Sequence, residues 1–176
     1  MPLVNTKEMF QKAYREGYAV GCFNVDSIAM VQAVLEAAEE NRSPVMVAFS
    51  QGSREFMHPG NIKILIKVVA QDITIPFAIH LDHGKSIEVC KSCIDEGFTS
   101  VMIDASDRPL EENIKITKEV CEYAHERGVS VEGELGVIAK DEENPDLIGP
   151  EHRYTNIEDV VRFVEETGVD SLAVSI

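Results

Sequence analysis

The chain has 176 residues, 44% hydrophobic and 27% charged, enough to bury a core within one domain. Its 31 acidic and 16 basic residues give a net charge of −15, which argues against a nucleic-acid or anionic-membrane surface but leaves room for a small anionic substrate. No apolar run approaches the roughly 20 residues of a membrane span, and the opening MPLVNTKEMF lacks the basic and apolar regions of a signal peptide.

Apolar spacing predicts a helix over 6–16, with Met9, Phe10, Ala13 and Tyr14 on it, Thr6 as N-cap and Gly17 as its end. AVGCFNV (19–25) reads as a strand, and 26–41 as a helix capped by Asp26 or Ser27. PVMVAFS (44–50) is a strand, 61–72 a helix and IPFAIHLD (75–82) a strand. SIEVCKSCIDEG (86–97) is a helix closed by Gly97, and TSVMIDAS (99–106) a strand. A long helix over 109–128 opens at Pro109 and closes at Gly128. VSVEGEL (129–135) is a strand, 138–154 a polar segment, 156–168 a helix and SLAVSI (171–176) a sixth strand.

Strict alternation of strand and helix means parallel strands with crossover helices. Polar residues close five of the strands: Asn24, Ser50, Asp82, Asp104 and Glu134. A (β/α)8 barrel places its active site at that end of every strand, whereas an open sheet gathers its ligands at one switch point. With no G-x-G-x-x-G or Walker loop present, the expected fold is an α/β TIM barrel. The chain carries about the first six strands of it, as a single, incomplete domain over 1–176.

The stretch HLDHG (80–84) ends the third strand with an acid, an imidazole and a glycine. Alternation relaxes at a strand end, so Asp82 and His83 can both reach the mouth, and Gly84 leaves space beside them. His83 suits zinc and Asp82 suits acid/base work; a helix cap and a satisfied histidine are the bland alternative. Asp104 and Glu134 end the next two strands and face the same mouth, unless they serve as caps or ion-pair partners. His80 and Glu132 lie two residues back from Asp82 and Glu134, where they can orient neighbours. His58, His125 and His152 are left out of the site, His125 being explained by a helix C-terminus. Cys22, Cys90, Cys93 and Cys121 read as reduced thiols of a cytoplasmic protein, and Cys90-x-x-Cys93 as part of a helix.

GCFNV, PVMVAFSQGS, HLDHG, VMIDAS and VEGELG in this order make the chain resemble the class II, metal-dependent fructose-bisphosphate and tagatose-bisphosphate aldolases, from the first helix to Ile176. The resemblance implies reversible cleavage of a ketose 1,6-bisphosphate to dihydroxyacetone phosphate and glyceraldehyde 3-phosphate, with Zn2+ polarising the ketone in place of a Schiff-base lysine. By position it makes Asp82 the catalytic acid/base and His83 a zinc ligand. It makes Asp104 and Glu134 carboxylates of an alternative or second divalent metal position. Asn24 and Ser50 become substrate-pocket residues, Ser50 near a phosphate. The expected partner is a sugar bisphosphate, and the expected assembly a homo-oligomer.

The family's remaining two zinc histidines follow strands six and seven, the first in a Gly-Thr-x-His-Gly motif expected just past Ile176. A truncated, non-catalytic barrel without a complete zinc site is therefore the alternative. A metal-dependent barrel hydrolase would show H-x-H on its first strand, and AVGCFNV has none.

Overall fold

The computed structural model describes residues 2–136 and 155–175. The expected polar segment 138–154, His152 within it, and Ile176 lie outside the described residues. In chain order the elements are α1 (Thr6–Glu16), β1 (Gly21–Asn24), α2 (Ile28–Glu40), β2 (Val45–Ser50), α3 (Gln51–Phe56), α4 (Ile62–Val69) and β3 (Phe77–Gly84). There follow α5 (Ile87–Glu96), β4 (Ser100–Ile103), α6 (Leu110–His125), β5 (Ser130–Leu135), α7 (Ile157–Thr167) and β6 (Ser171–Val174).

The six strands pair in sequence order and every pairing is parallel. A doubly wound sheet reverses its strand order at a switch point. This sheet has no reversal, as a barrel wall requires. Alternation divides the strands into two faces. Val45, Val47, Phe49, Phe77, Ile79, Leu81, Val101, Ile103 and Val131 enter one buried cluster with Val31 and Leu35 of α2, Ile62 and Ile66 of α4, Cys90 and Cys93 of α5, and Val120 of α6. Each large apolar side chain fully buried there contributes about 1.5–3 kcal/mol. The other face carries Met46 and Ala78 toward the strand N-termini and Ser50, His80, Asp82, Ser100, Glu132 and Glu134 above them, so the lumen side turns polar toward the strand C-termini.

Helix α1 closes the N-terminal end of this wall. Met9 packs on Met46 and Ala78, and Thr6 N donates to Ser130 Oγ at 3.0 Å. This corrects the capping expectation: Asn5 is the N-cap, its side chain accepting from Lys7 N, and the Thr6 hydroxyl meets Ser130 Oγ at 2.7 Å instead. Of the two caps expected for α2, Ser27 is the one used. Helix α3 was not expected; Ser50 both ends β2 and caps it. Strand β3 runs on through His83 to Gly84, past its expected end. Strand β4 stops at Ile103, because Asp104 Oδ1 accepts from Ser106 N at 3.3 Å and Ser106 Oγ at 2.7 Å and turns the chain.

Candidate active site

Asp82 and His83 reach the same mouth because β3 is bulged. The β3–β4 register runs His80↔Ser100 and Leu81↔Val101, then jumps to Gly84↔Ile103. One residue of β4, Met102, thus faces two of β3, and His83 absorbs the extra length at φ 51°, a conformation uncommon outside glycine. Gly84 lies against β4 and α5. A Cβ there would stand 2.7 Å from the Met102 carbonyl oxygen and 2.8 Å from Cys90 Sγ. The glycine after Asp-His is therefore needed for close approach, with Asp104 N donating to Gly84 O at 3.0 Å across the contact.

Three strands then deliver one cluster. His83 Nδ1 lies 3.0 Å from Asp104 Oδ2 and 3.5 Å from Glu134 Oε2. One ligand atom from each of the three residues falls within 4.8 Å of the others. Both carboxylate side chains are 6% exposed, the imidazole 45%. Glu134 Oε2 is buried and has no hydrogen-bond partner among the described residues. Leaving a buried carboxylate oxygen unmatched is costly, and a nitrogen and two carboxylates converging on it are the donor types that bind zinc. The residues present fit a divalent ion.

Charge at the mouth is unevenly distributed. Burial alone would raise the Asp104 carboxyl, but hydrogen bonds from Lys85, Ser106 and His83 hold it well below the usual range. Lys85 Nζ forms an ion pair with Asp104 Oδ2. Glu134 is raised, by burial first and then by the Asp104 charge. Glu132 is pushed up to about 7 by burial and by Asp82. His80 is driven down to about 4 by burial. It is neutral at pH 7, with Nδ1 at 2.8 Å from Ser100 Oγ, and its 3.8 Å approach to Glu132 is not an ion pair. Asp82, Asp104 and Glu134 thus crowd carboxylates around His83 and Lys85, and the mutual repulsion that raises Glu134 is what a bound cation would relieve.

Asn24 Nδ2 donates to Asp82 Oδ2 at 2.6 Å, and the other Asp82 oxygen lies 3.8 Å from His83 Nε2. Ser50 is the register partner of Asp82. Its Oγ accepts from Ser53 N at 3.1 Å and meets Ser53 Oγ at 2.7 Å, while Ser53 in turn donates to Asp26. The structure therefore brings Asn24, Asp82, His83, Asp104 and Glu134 into contact, puts Ser50 beside them, and sets the His80–Glu132 pair one layer deeper.

Sequence reasoning missed Lys85, Ser106 and the Ser53–Asp26 link. Lys85 follows HLDHG directly, so its place beside the motif was the available signal. His125 is not explained by a helix C-terminus alone: its Nε2 is 2.9 Å from Asp170 Oδ2. The cysteines form no disulfide, and burial pushes the Cys90 and Cys93 thiols up to about 12, consistent with a structural C-x-x-C.

A family model described as fructose-bisphosphate aldolase class-II matches residues 4–176. Proteins named fructose-bisphosphate aldolase from Geobacillus stearothermophilus and Staphylococcus aureus strain Mu50 are 48% and 47% identical over 98% of this chain, which covers 61% of each of them. The crystal structure of the YdjI aldolase from Escherichia coli K12 superposes with a TM-score of 0.85 at 36% identity, covering 99% of this chain and 60% of that one. A fructose-bisphosphate aldolase from Campylobacter jejuni superposes at 0.78 with 25% identity, covering 98% and 58%. The chain spans about three-fifths of the length of these relatives.

Proposed function

The chain belongs to the class II fructose-bisphosphate aldolase family, and from that premise we propose that it builds one side of the active site of a metal-dependent aldolase. The reaction is reversible cleavage of a ketose 1,6-bisphosphate, fructose or tagatose, to dihydroxyacetone phosphate and glyceraldehyde 3-phosphate. The observation that carries this reading is the convergence of His83, Asp104 and Glu134, with the buried Glu134 Oε2 making no hydrogen bond, next to Asp82.

His83, with Asp104 and Glu134 as carboxylate donors, would hold Zn2+, and a second divalent position can draw on the same carboxylates. When bound, the ion supplies Lewis-acid polarisation of the ketone oxygen. Asp82 takes the proton from the C4 hydroxyl as the C3–C4 bond breaks, and returns it to the aldehyde oxygen in condensation. Asn24 orients Asp82 by its bond to Oδ2, leaving Oδ1 toward the mouth. Ser50, beside Asp82, contacts a substrate phosphate. Lys85 neutralises part of the Asp104 charge while that carboxylate waits for a cation. His80 and Glu132 hold the strand ends from below.

No helix among the described residues is long and apolar enough to cross a membrane. A cytoplasmic homo-oligomer is the assembly we assign, supported by four free cysteines and by the exposed Ile157, Val161 and Val164 along α7. The test is aldol cleavage of both sugar bisphosphates by the whole protein, with and without chelator, together with borohydride treatment in the presence of substrate. Loss of activity on chelation with no trapped adduct is expected. A borohydride-trapped lysine would overturn the proposal.

A further inference from the structure

The N-terminal end of the sheet, opposite the candidate active site, carries a cavity of about 550 Å³ along one face of α1. Its lining includes Lys12 and Arg15 of α1, Arg42 from the α2–β2 connection, Tyr18, Pro44 and Pro76. The whole chain has 16 cationic side chains and a net charge of −15, yet three of the cations meet here against one acid, Glu8. Among the described residues, Lys12, Arg15 and Arg42 make no ion pair and no side-chain hydrogen bond; Lys63, Lys67, Lys115 and Lys118 are likewise unpaired but do not line this cavity, and the other described cations have an acidic partner. An acidic surface that leaves three cations unmatched around one concavity has a local field for an anion, even though the protein as a whole repels one.

The stems are placed from two elements. Lys12 and Arg15 are three apart on α1 and share a face. Arg42 stands at φ 50°, its backbone held by Arg42 N to Glu39 O at 3.0 Å and by Ser43 N to Ala38 O at 3.0 Å. Two guanidinium groups and an ammonium suit phosphate oxygens, which arginine binds in a two-pronged fashion. Tyr18 and the two prolines give the apolar flank typical of small-ligand sites of this volume. Pro44 and Pro76 precede β2 and β3, while Ser50 and Asp82 close them. Strand rise therefore separates this cavity from the catalytic mouth by roughly 20 Å.

We propose that this cavity is a second anion site, taking a small organic phosphate through Lys12, Arg15 and Arg42, separate from the substrate site and independent of the aldolase assignment. The test is calorimetric titration of the whole protein with inorganic pyrophosphate, beside R15A/R42A and R15K/R42K variants, and a ¹H–¹⁵N correlation spectrum of the unmodified whole protein with and without pyrophosphate. Expected are saturable binding that weakens with added salt, at least a tenfold loss of affinity in R15A/R42A, substantial recovery in R15K/R42K, and amide shifts at Arg15, Tyr18 and Arg42. The replaced side chains are exposed and unpartnered, so the variants keep the fold. Absence of saturable binding overturns the proposal. So does binding that R15A/R42A leaves unchanged, or amide shifts confined to the residues around His83, which would place the anion at the catalytic mouth.

Discussion

Replacing Gly84 by alanine tests how the bulge sets the metal cluster. The new Cβ would meet the Met102 carbonyl oxygen at 2.7 Å, Cys90 Sγ at 2.8 Å and Leu81 Cδ2 at 2.8 Å. The leucine contact falls about 0.7 Å short of the ~3.5 Å at which carbon pairs pack well, and a change of rotamer relieves it. The carbonyl cannot move alone. It belongs to β4, and the Gly84↔Ile103 pairing and the bond from Asp104 N to Gly84 O fix the two strands at this point. Separating them moves His83 away from Asp104, now 3.0 Å apart. Overpacking of this kind costs about 1–3 kcal/mol, a shift of about 5- to 150-fold in the unfolding equilibrium. Urea denaturation of G84A and the unmodified form in the whole protein measures the stability, and zinc titration of both measures the proposed metal site. Expected are a lower midpoint with an unchanged slope, and weaker zinc binding. Unchanged stability and unchanged zinc affinity would refute the claim that close approach at Gly84 positions His83.

E134Q removes one carboxylate charge from the cluster and should lower zinc affinity at least about tenfold with little loss of stability, read by competition with a chromogenic chelator. D170A removes a buried acceptor shared by Lys7 at 3.0 Å, His125 at 2.9 Å and Val131 N at 2.9 Å, at a cost of about 3 kcal/mol at pH 7. Burial opposes the ionised form of Asp170, but these bonds hold its pKa down. Its contribution is therefore complete above the unfolded value of about 3.9 and fades as pH falls through the folded one. Denaturation curves of D170A and the unmodified chain should accordingly converge below about pH 4. Strands β1 and β6 each pair on one side only among the described residues, so the 176-residue chain by itself should associate through these edges. Sedimentation at increasing concentration checks this, and a monomer at all concentrations would count against it.

Alternating apolar runs made six strands and their crossover helices legible, because a parallel barrel strand is apolar toward its helices and short between turn residues. Helix α3 was not legible: QGSREF has a single large apolar residue, and its start depends on Ser50 acting as a cap while also ending a strand. The end of β4 was misjudged because Asp104 turns back on Ser106, a side-chain bond that apolar patterning does not record. Asp82, His83, Asp104 and Glu134 were readable as strand-end polar residues, but the bulge that turns His83 into the mouth was not. The partner of His125 lies 45 residues away at Asp170, a distance at which local sequence pattern carries nothing.

The proposed function assigns different work to two adjacent residues, proton transfer to Asp82 and metal binding to His83. Metal content and aldol-cleavage turnover of D82A and H83A in the whole protein test it most directly. D82A should keep its zinc and lose about 10²–10⁴-fold in turnover, whereas H83A should lose zinc and activity together. Zinc loss in D82A with normal turnover per bound metal, or a fully metallated H83A, would contradict the assignment.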